Sequence, residues 1–149
     1  MSADTVSITL TRESAYRFTV DFGEGWPQGH NDEPAPLGEG SGPGPKHMLL
    51  AGVANCLSAS LTFALGKFKQ DPGRLQATAT ATVGRNADNR LRIQQIEVDI
   101  RLDKTASELE HLDRVLAQFE AFCTVSQSVQ DGIAIHTRVS DKTGTVLKG

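Results

Sequence analysis

A long apolar segment in the middle of the chain constrains the fold more than any other feature. The residues from Met48 to Leu65 are apolar on nearly every face of a helix, interrupted only by small polar residues. With Pro43-Gly44-Pro45 at its entrance, this pattern predicts a helix from Lys46 to about Phe68. A helix that is apolar all round must be buried. A membrane span normally needs about 20 strongly apolar residues, so we interpret the segment as a core helix.

The residues before this helix predict a β-hairpin followed by a long loop. Apolar and polar residues alternate over 6–10 and again over 18–22, with Thr11 to Ser14 between them as the turn. Residues 23–46 hold seven glycines and five prolines, which exclude a continuous helix or a central strand. We expect a long loop with at most a short edge strand. It is either a functional lid or wrap onto a partner subunit, or a plain connector.

The residues after the helix predict a second, longer hairpin. Alanine alternates with threonine from Gln76 to Val83, and Asn86 to Asn89 form a polar turn into the next strand. The apolar residues at the start of that strand are out of phase with those over 96–102. One inserted residue near Gln94-Gln95 would cause this shift, so we predict a β-bulge there.

The last third of the chain predicts helices followed by a strand. Thr105 to Glu108 resemble a capping box, and leucines and phenylalanines at helical spacing predict an amphipathic helix over 109–122. Residues 124–130 predict a further short helix, and alternation over 133–139 predicts a final strand. Strands at both ends with helices between them indicate an α+β class, and the length fits a single domain over 1–149.

Charge and composition exclude several kinds of partner. The formal net charge of −3 is scattered along the chain, so we expect neither a nucleic acid nor a membrane surface as partner. Residues 1–10 lack the basic and apolar regions of an export signal, so we expect a cytoplasmic protein. The histidines and cysteines are isolated from one another. This is not the spacing of zinc ligands, and we predict no metal site.

The two cysteines, Cys56 and Cys123, are the candidate reactive groups. In a reducing compartment a cysteine pair is free, metal-binding or catalytic rather than a structural disulfide. Cys56 lies in the apolar helix, where a lone cysteine is usually a small core residue. Cys123 precedes the predicted short helix, whose free N–H groups would stabilise a thiolate. The two lie 67 positions apart without a Cys-x-x-Cys motif, so only the fold can bring them together.

Two segments resemble the signatures of one family. The segment Gly42–Leu57, GPGPKHMLLAGVANCL, is similar to the helix-one signature of the OsmC/Ohr proteins, named for osmotically inducible protein C and organic hydroperoxide resistance. Cys123-Thr124-Val125-Ser126 resembles their second-cysteine motif. The order and spacing of the two segments agree with the family, and the resemblance spans essentially the whole chain.

This resemblance implies an OsmC-like fold, in which two antiparallel β-sheets surround the long central helices of an intertwined homodimer. It also implies a cysteine-based peroxidase of oxidative stress defence that uses no cofactor. The Cys56 thiolate would reduce an organic hydroperoxide, and the resulting sulfenic acid would condense with Cys123 to a disulfide. A dithiol or lipoyl-type reductant would then regenerate the two thiols.

The chain departs from the family pattern near the site that the resemblance implies. Characterised members pair an arginine from the N-terminal strands with a glutamate near the start of the first long helix. Here Lys46 stands at the glutamate position and His47 follows it. Arg17 and Arg12 are the candidate arginines, and no local motif chooses between them. Lys46 or His47 would instead stabilise the Cys56 thiolate directly.

A second function therefore stays open. The missing glutamate favours a non-catalytic OsmC-like module that binds a small apolar ligand at the dimer interface. In that module, Cys56 and Cys123 would only line the cavity.

Overall fold

The computed structural model describes residues 3–149. Contacts group the chain into two compact units, Met1–Leu49 and Leu50–Gly149, the first and second units. The helices are α1 (Pro45–Gly66), α2 (Leu112–Gln118) and α3 (Thr124–Val129). The strands are β1 (Thr9–Ser14), β2 (Arg17–Asp21), β3 (Gly29–Asn31), β4 (Gln76–Arg85), β5 (Leu91–Arg101), β6 (Ala134–Ser140) and β7 (Val146–Lys148). This mixture of sheets and helices confirms the predicted α+β class, whereas the single domain over 1–149 stays a prediction.

The first unit contains an antiparallel sheet with the strand order β1-β2-β3. The predicted turn at Thr11–Ser14 is wrong, because most of these residues pair with β2 and the chain reverses at Ala15 and Tyr16. Ala15 has a φ of 43°, a left-handed conformation that tight hairpin turns require. Strand β1 is exposed along its whole length, so its polar residues remain in the strand at no desolvation cost.

The glycine- and proline-rich segment is organised around one buried carboxylate. The segment includes β3, which confirms the expected short edge strand. The Asp32 side chain accepts hydrogen bonds from the N–H groups of Glu33 (2.8 Å), Glu39 (3.2 Å) and Ser41 (3.1 Å), and from the Ser41 hydroxyl (2.8 Å). These donors, the Ser41 hydroxyl first, hold the pKa of Asp32 below its usual value. The segment is therefore an ordered loop tied together by an ionised side chain.

Helix α1 buries one face and leaves the other open. Its buried residues recur mostly every three or four positions, as in a single helical stripe; they are Val53, Leu57, Leu61, Ala64 and Leu65. On other faces Phe63 is 60% exposed, and a Cβ added to Gly52 would meet nothing within 4 Å. The prediction that this helix is buried on all of its faces is therefore wrong for the single chain. The helix is long and apolar enough to cross a membrane, as many core helices are. Of its most apolar 18-residue stretch, 28% is buried in the single chain.

The second unit contains a sheet with the strand order β4-β5-β6-β7. Within β5, Ile96, Val98 and Ile100 are at most 1% exposed, so this strand supplies much of the core. Where β4 pairs with β5, Thr82 faces Gln95 and the next residue of β4 faces Ile93. Gln94 is thus the extra residue, and the predicted bulge is confirmed.

One ladder of this sheet differs from the expected antiparallel pairing. Strands β5 and β6 run parallel, from the Gln95–Ala134 pair to the Arg101–Ser140 pair. Parallel neighbours need a long crossover connection, and the helices between the two strands provide it. Strand β6 confirms the predicted final alternating strand, and β7 extends the sheet by a short pairing that the sequence pattern did not indicate.

The prediction of one continuous amphipathic helix over 109–122 is wrong. The capping box forms, and the Glu108 carboxylate accepts the Thr105 N–H at 2.8 Å, but it starts only a short 3₁₀ turn. His111 then adopts a left-handed φ of 58°, which a continuous right-handed helix does not allow. The apolar residues are therefore distributed over this 3₁₀ turn, α2 and a second 3₁₀ turn at Phe119–Phe122.

Candidate functional site

The two cysteines lie side by side in the second unit. Cys56 is on α1, Cys123 immediately precedes α3, and both are free thiols. The Cys56 thiol lies near enough to Cys123 to raise the pKa of the Cys123 thiol. The fold therefore brings together two side chains that are 67 positions apart in the sequence.

The conformation of Cys123 follows from its place before a helix. Its backbone is extended, with φ −81° and ψ 100°, and α3 starts at the next residue, which confirms the predicted short helix. The sulfur accepts a hydrogen bond from the Ser126 N–H at 3.4 Å, so the cysteine side chain caps the helix. The Ser126 hydroxyl donates to the Cys123 carbonyl at 3.5 Å. Phe119, which is fully buried, anchors the preceding 3₁₀ turn.

The two thiols differ in exposure. Cys123 is completely buried, whereas Cys56 is half-buried. Burial raises the pKa of Cys123, the neighbouring Cys56 raises it further, and the hydrogen bonds from Ser126 oppose the rise. Cys123 is therefore held as a neutral thiol at neutral pH, and such a thiol can donate its S–H to a neighbouring sulfur. Cys56 is therefore the more exposed of the two cysteines.

The two candidate arginines lie in the first unit and have different partners. Arg17 on β2 forms an ion pair with Glu13, with 2.7 Å between Nε and Oε2. Glu13 also accepts a hydrogen bond from the Thr19 hydroxyl, which is the largest cause of the lowered pKa of Glu13. Arg12 on β1 instead donates from Nε to the carbonyl of Ala15 at 2.9 Å. Arg17 is thus the arginine with a carboxylate partner, while Arg12 stabilises the hairpin turn.

Lys46 and His47 lie in the first turn of α1 and are exposed. His47 Nδ1 accepts the Gly44 N–H at 3.0 Å, so the imidazole satisfies a backbone donor at the helix entrance. This hydrogen bond requires an unprotonated Nδ1. Lys46 forms no ion pair with any residue over 3–149. Both residues belong to the first unit, and the two cysteines belong to the second.

A cation between two aromatic rings is a feature that the sequence pattern did not indicate. Lys67 Nζ lies 5.0 Å from the ring centre of Phe63 and 4.8 Å from that of Phe122. Both rings are more than half exposed. Lys67 and Phe63 are four residues apart at helical spacing, whereas Phe122, which directly precedes Cys123, joins them only through long-range packing.

Ser126 is the other residue that sequence reasoning left without a role. It belongs to the second-cysteine motif. The sequence signal that could have indicated its role is its position three residues after Cys123, the residue that caps the helix. Its burial, at 3% exposure, is a property of the fold. Within the described part of the chain, no three His, Cys, Asp or Glu side chains are grouped so that they could hold a metal ion.

The fold and the site define a class of α+β proteins with two neighbouring thiols. Residues 38–138 match the family model described as OsmC-like protein. Because the match covers more than half of the sequence, the chain belongs to the OsmC-like family. No curated protein matches it.

Solved structures share this fold at low sequence identity. The OsmC-like protein from Mycoplasma pneumoniae is 17% identical with a TM-score of 0.77, covering 94% of this chain and 99% of its own. An organic hydroperoxide resistance protein from Elizabethkingia anophelis is 19% identical with a TM-score of 0.74, covering 94% and 98%. The organic hydroperoxide resistance protein OhrB of Bacillus subtilis is 15% identical with a TM-score of 0.69, covering 92% and 98%. These similarities confirm the OsmC-like fold.

Proposed function

We propose that this protein is a thiol-dependent peroxidase that reduces organic hydroperoxides in oxidative stress defence. The observation that carries the proposal is the placement of Cys56 near Cys123, close enough to raise the pKa of the Cys123 thiol. A peroxidatic thiol must be accessible, and a resolving thiol must be close to it. Half-buried Cys56 suits the first role and fully buried Cys123 suits the second. Three of the structural neighbours are named as organic hydroperoxide resistance proteins, which agrees with this proposal.

The reaction has two steps. In the first, the Cys56 thiolate attacks the O–O bond of the hydroperoxide, and with one proton the products are an alcohol and a sulfenic acid on Cys56. In the second, the sulfur of Cys123 attacks the sulfenic sulfur. An S–S bond forms, the S–O bond breaks, and hydroxide leaves with the Cys123 proton as water. Because the two sulfurs are already neighbours, the disulfide forms before further oxidation of Cys56.

Turnover requires a reductant that exchanges with the disulfide. A dithiol or lipoyl-type reductant supplies two electrons and restores both thiols. The partial exposure of Cys56 gives such a reductant access to one of the two sulfurs. A cytoplasmic location fits this chemistry, because the thiol pools of that compartment are reducing.

We also propose that the functional unit is a homodimer with its sites at the subunit interface. Phe63 on α1 is 60% exposed, and Ile8 and Leu10 of the first unit are about half exposed. Exposed apolar surface of this kind gains stability when a second copy covers it. Arg17 with its Glu13 partner, Arg12, Lys46 and His47 remain the candidates for substrate binding or thiolate stabilisation in that assembly.

The test follows hydroperoxide loss by the pre-reduced protein in the presence of a dithiol. Cumene hydroperoxide is the substrate, and the Cys56→Ser and Cys123→Ser variants are run beside the wild type. We expect Cys56→Ser to abolish consumption. We expect Cys123→Ser to leave one rapid turnover and then accumulate oxidised Cys56. Consumption that is equal in wild type and Cys56→Ser would refute the proposal.

A cavity in the first unit favours the alternative function, a non-catalytic module that binds a small apolar ligand. The cavity has a volume of about 360 Å³, and its lining includes Leu10, Tyr16, Phe18, Val20 and Met48. Small-molecule sites are typically apolar and about 300–1,000 Å³ in volume. Binding of an apolar dye that is lost in Val20→Asp and unchanged in Cys56→Ser, without hydroperoxide turnover, would support this alternative.

A further inference from the structure

We infer that Ser126 is a positioning residue for the Cys123 thiol, an inference that rests on the proposed peroxidase function. The Ser126 N–H donates to Cys123 Sγ at 3.4 Å, and the Ser126 hydroxyl donates to the Cys123 carbonyl at 3.5 Å. Ser126 is 3% exposed and Cys123 is 0% exposed. One buried residue therefore contacts both the sulfur and the carbonyl of the cysteine, where solvent offers no competing hydrogen bond.

The Ser126 hydroxyl is weakly committed to its present acceptor. Hydroxyl hydrogen bonds are usually about 2.7–2.8 Å long, so the 3.5 Å contact is at the long limit. The Cys123 carbonyl also accepts the Gln127 N–H at 3.0 Å, and it keeps this partner if the serine hydroxyl turns away. A serine hydroxyl rotates to suit its acceptors. A thiolate at Cys123 is the stronger acceptor, because hydrogen bonds to charged groups exceed those to neutral ones.

The second step of the proposed reaction needs this support. Cys123 must lose its proton as its sulfur attacks the sulfenic sulfur of Cys56, forms the S–S bond and releases hydroxide from the broken S–O bond. Burial disfavours the thiolate that this attack requires. The hydrogen bonds from Ser126 lower the pKa of Cys123 against the effect of burial. Ser126 thus stabilises the charge at the one moment when the buried sulfur carries it.

The other ionisable groups around Cys123 do not supply this stabilisation. Cys56, which faces it from α1, raises the pKa of Cys123. Glu120, whose carbonyl accepts the Cys123 N–H at 3.1 Å, has its carboxylate 2.7 Å from the Lys148 ammonium. That pair is neutral overall. The donors that face the sulfur therefore come from Ser126.

The kinetic test uses Ser126→Ala, the conservative Ser126→Thr and a matched control, Ser128→Ala. Ser128 is an exposed serine of the same helix whose hydroxyl donates to the Thr124 carbonyl at 2.8 Å. Reduced protein is mixed rapidly with cumene hydroperoxide, and sulfenic acid and disulfide are quantified separately by trapping and mass spectrometry. We expect Ser126→Ala to form the sulfenic acid at the wild-type rate and the disulfide about tenfold more slowly, since it lacks one hydrogen bond to a charged group. Ser126→Thr and Ser128→Ala should match the wild type.

A second arm uses no peroxide, so it separates this inference from the proposed function. In a Cys56→Ser background, the ultraviolet absorbance of the thiolate reports the ionisation of Cys123. The titration midpoint should rise in Ser126→Ala and stay unchanged in Ser126→Thr and Ser128→Ala. An unchanged midpoint in Ser126→Ala, or a raised one in Ser126→Thr, overturns the inference. If Ser126→Ala does not fold, as thermal unfolding would reveal, the Ser126→Thr result decides, and wild-type protein that consumes no hydroperoxide refutes only the proposed function.

Discussion

Cys56 lies near enough to Cys123 to raise the pKa of the Cys123 thiol, and of the two residues only Cys56 is partly exposed to solvent. A soluble oxidant therefore meets Cys56 first. Once Cys56 is oxidised, the thiol of Cys123 lies nearby and is protected by burial from the same oxidant. The difference in burial between two adjacent thiols thus sets the order in which they would react.

Oxidation of the reduced protein is expected to give one intramolecular Cys56–Cys123 disulfide. A cross-link that closes a loop of this length stabilises the folded chain by up to about 4 kcal/mol, because it restricts the unfolded chain. Peptide mapping identifies the linked cysteines, and urea unfolding compares the oxidised with the reduced protein. Cys56→Ser should show neither the link nor the added stability. Disulfides that join separate chains would contradict the expectation.

Replacing Phe119 by alanine is expected to lower the free energy of unfolding by about 3–5 kcal/mol, the cost of an aromatic ring removed from a core. The ring is fully buried, and Lys148 Nζ lies 5.3 Å from its centre. Phe122, three residues later, is 55% exposed and serves as the control. Phe122→Ala should cost less than about 1.5 kcal/mol, since little core packing is lost. Equal losses in the two variants, measured by urea unfolding, would be inconsistent with the described core.

Alkaline pH is expected to destabilise the protein through Cys123. Burial, and then the neighbouring Cys56, raise the pKa of Cys123 above the ordinary value of 9.0. The folded protein then holds the thiol proton more tightly than the unfolded chain does. The protonated Cys123 thiol contributes fully to stability below the ordinary thiol pKa. This contribution is lost as the pH rises through the raised pKa of the folded protein. The free energy of unfolding, measured with urea from about pH 7 to about pH 10, should fall less steeply with pH in Cys123→Ala than in wild type. Parallel curves would refute this account.

Acid is expected to loosen the loop that Asp32 ties together. The pKa of Asp32 is lowered, chiefly by the Ser41 hydroxyl. Its stabilising contribution is therefore present above the ordinary carboxyl pKa and is lost as the pH falls through the lowered one. Asp32→Asn should accelerate hydrogen exchange at the Glu39 and Ser41 amides, which donate to this carboxylate. Asp21→Asn, which removes a carboxylate with one such contact, to the Gly23 N–H at 2.9 Å, should leave those two amides unchanged.

A charge on the open face of α1 is expected to separate the proposed homodimer. Ala59 lies on this helix and is exposed in the single chain. Ala59→Glu should give a monomer in sedimentation velocity, because a buried unpaired carboxylate is costly at an interface. Thr80→Glu places the same charge at an exposed position of β4 and should leave the assembly intact. A wild type that sediments as a monomer would refute the homodimer.

Local patterns predicted the elements whose cause is local. The long run of apolar residues indicated α1, and the change of phase along β5 predicted a bulge near Gln94-Gln95, where the strand pairing leaves Gln94 as the extra residue. Side-chain periodicity reports helices and strands directly, because it reflects which face is buried. The helix over 109–122 failed as a prediction because His111 takes a left-handed conformation. No periodicity in apolar residues reveals a single backbone angle of that kind.

Other features depend on how particular turns and crossover connections close. The parallel pairing of β5 with β6 depends on the crossover between them. The Asp32 hydrogen bonds and the Arg17–Glu13 ion pair depend on how individual turns close. Among the candidate polar residues, the choice of partner distinguishes Arg17 from Arg12, and the spacing of residues could not do so.

The amino-acid sequence was sufficient to predict the α+β class and the family, and to select Cys56 and Cys123 as the candidate reactive residues. Each of these follows from composition, periodicity or a contiguous motif. The proximity of Cys56 to Cys123, the full burial of Cys123 alone and the approach of Ser126 to the buried sulfur came from the folded chain. The physical reason is that burial and hydrogen bonding between remote segments are properties of the packed chain. Any residue 67 positions from another can be its neighbour or not, and packing alone determines which.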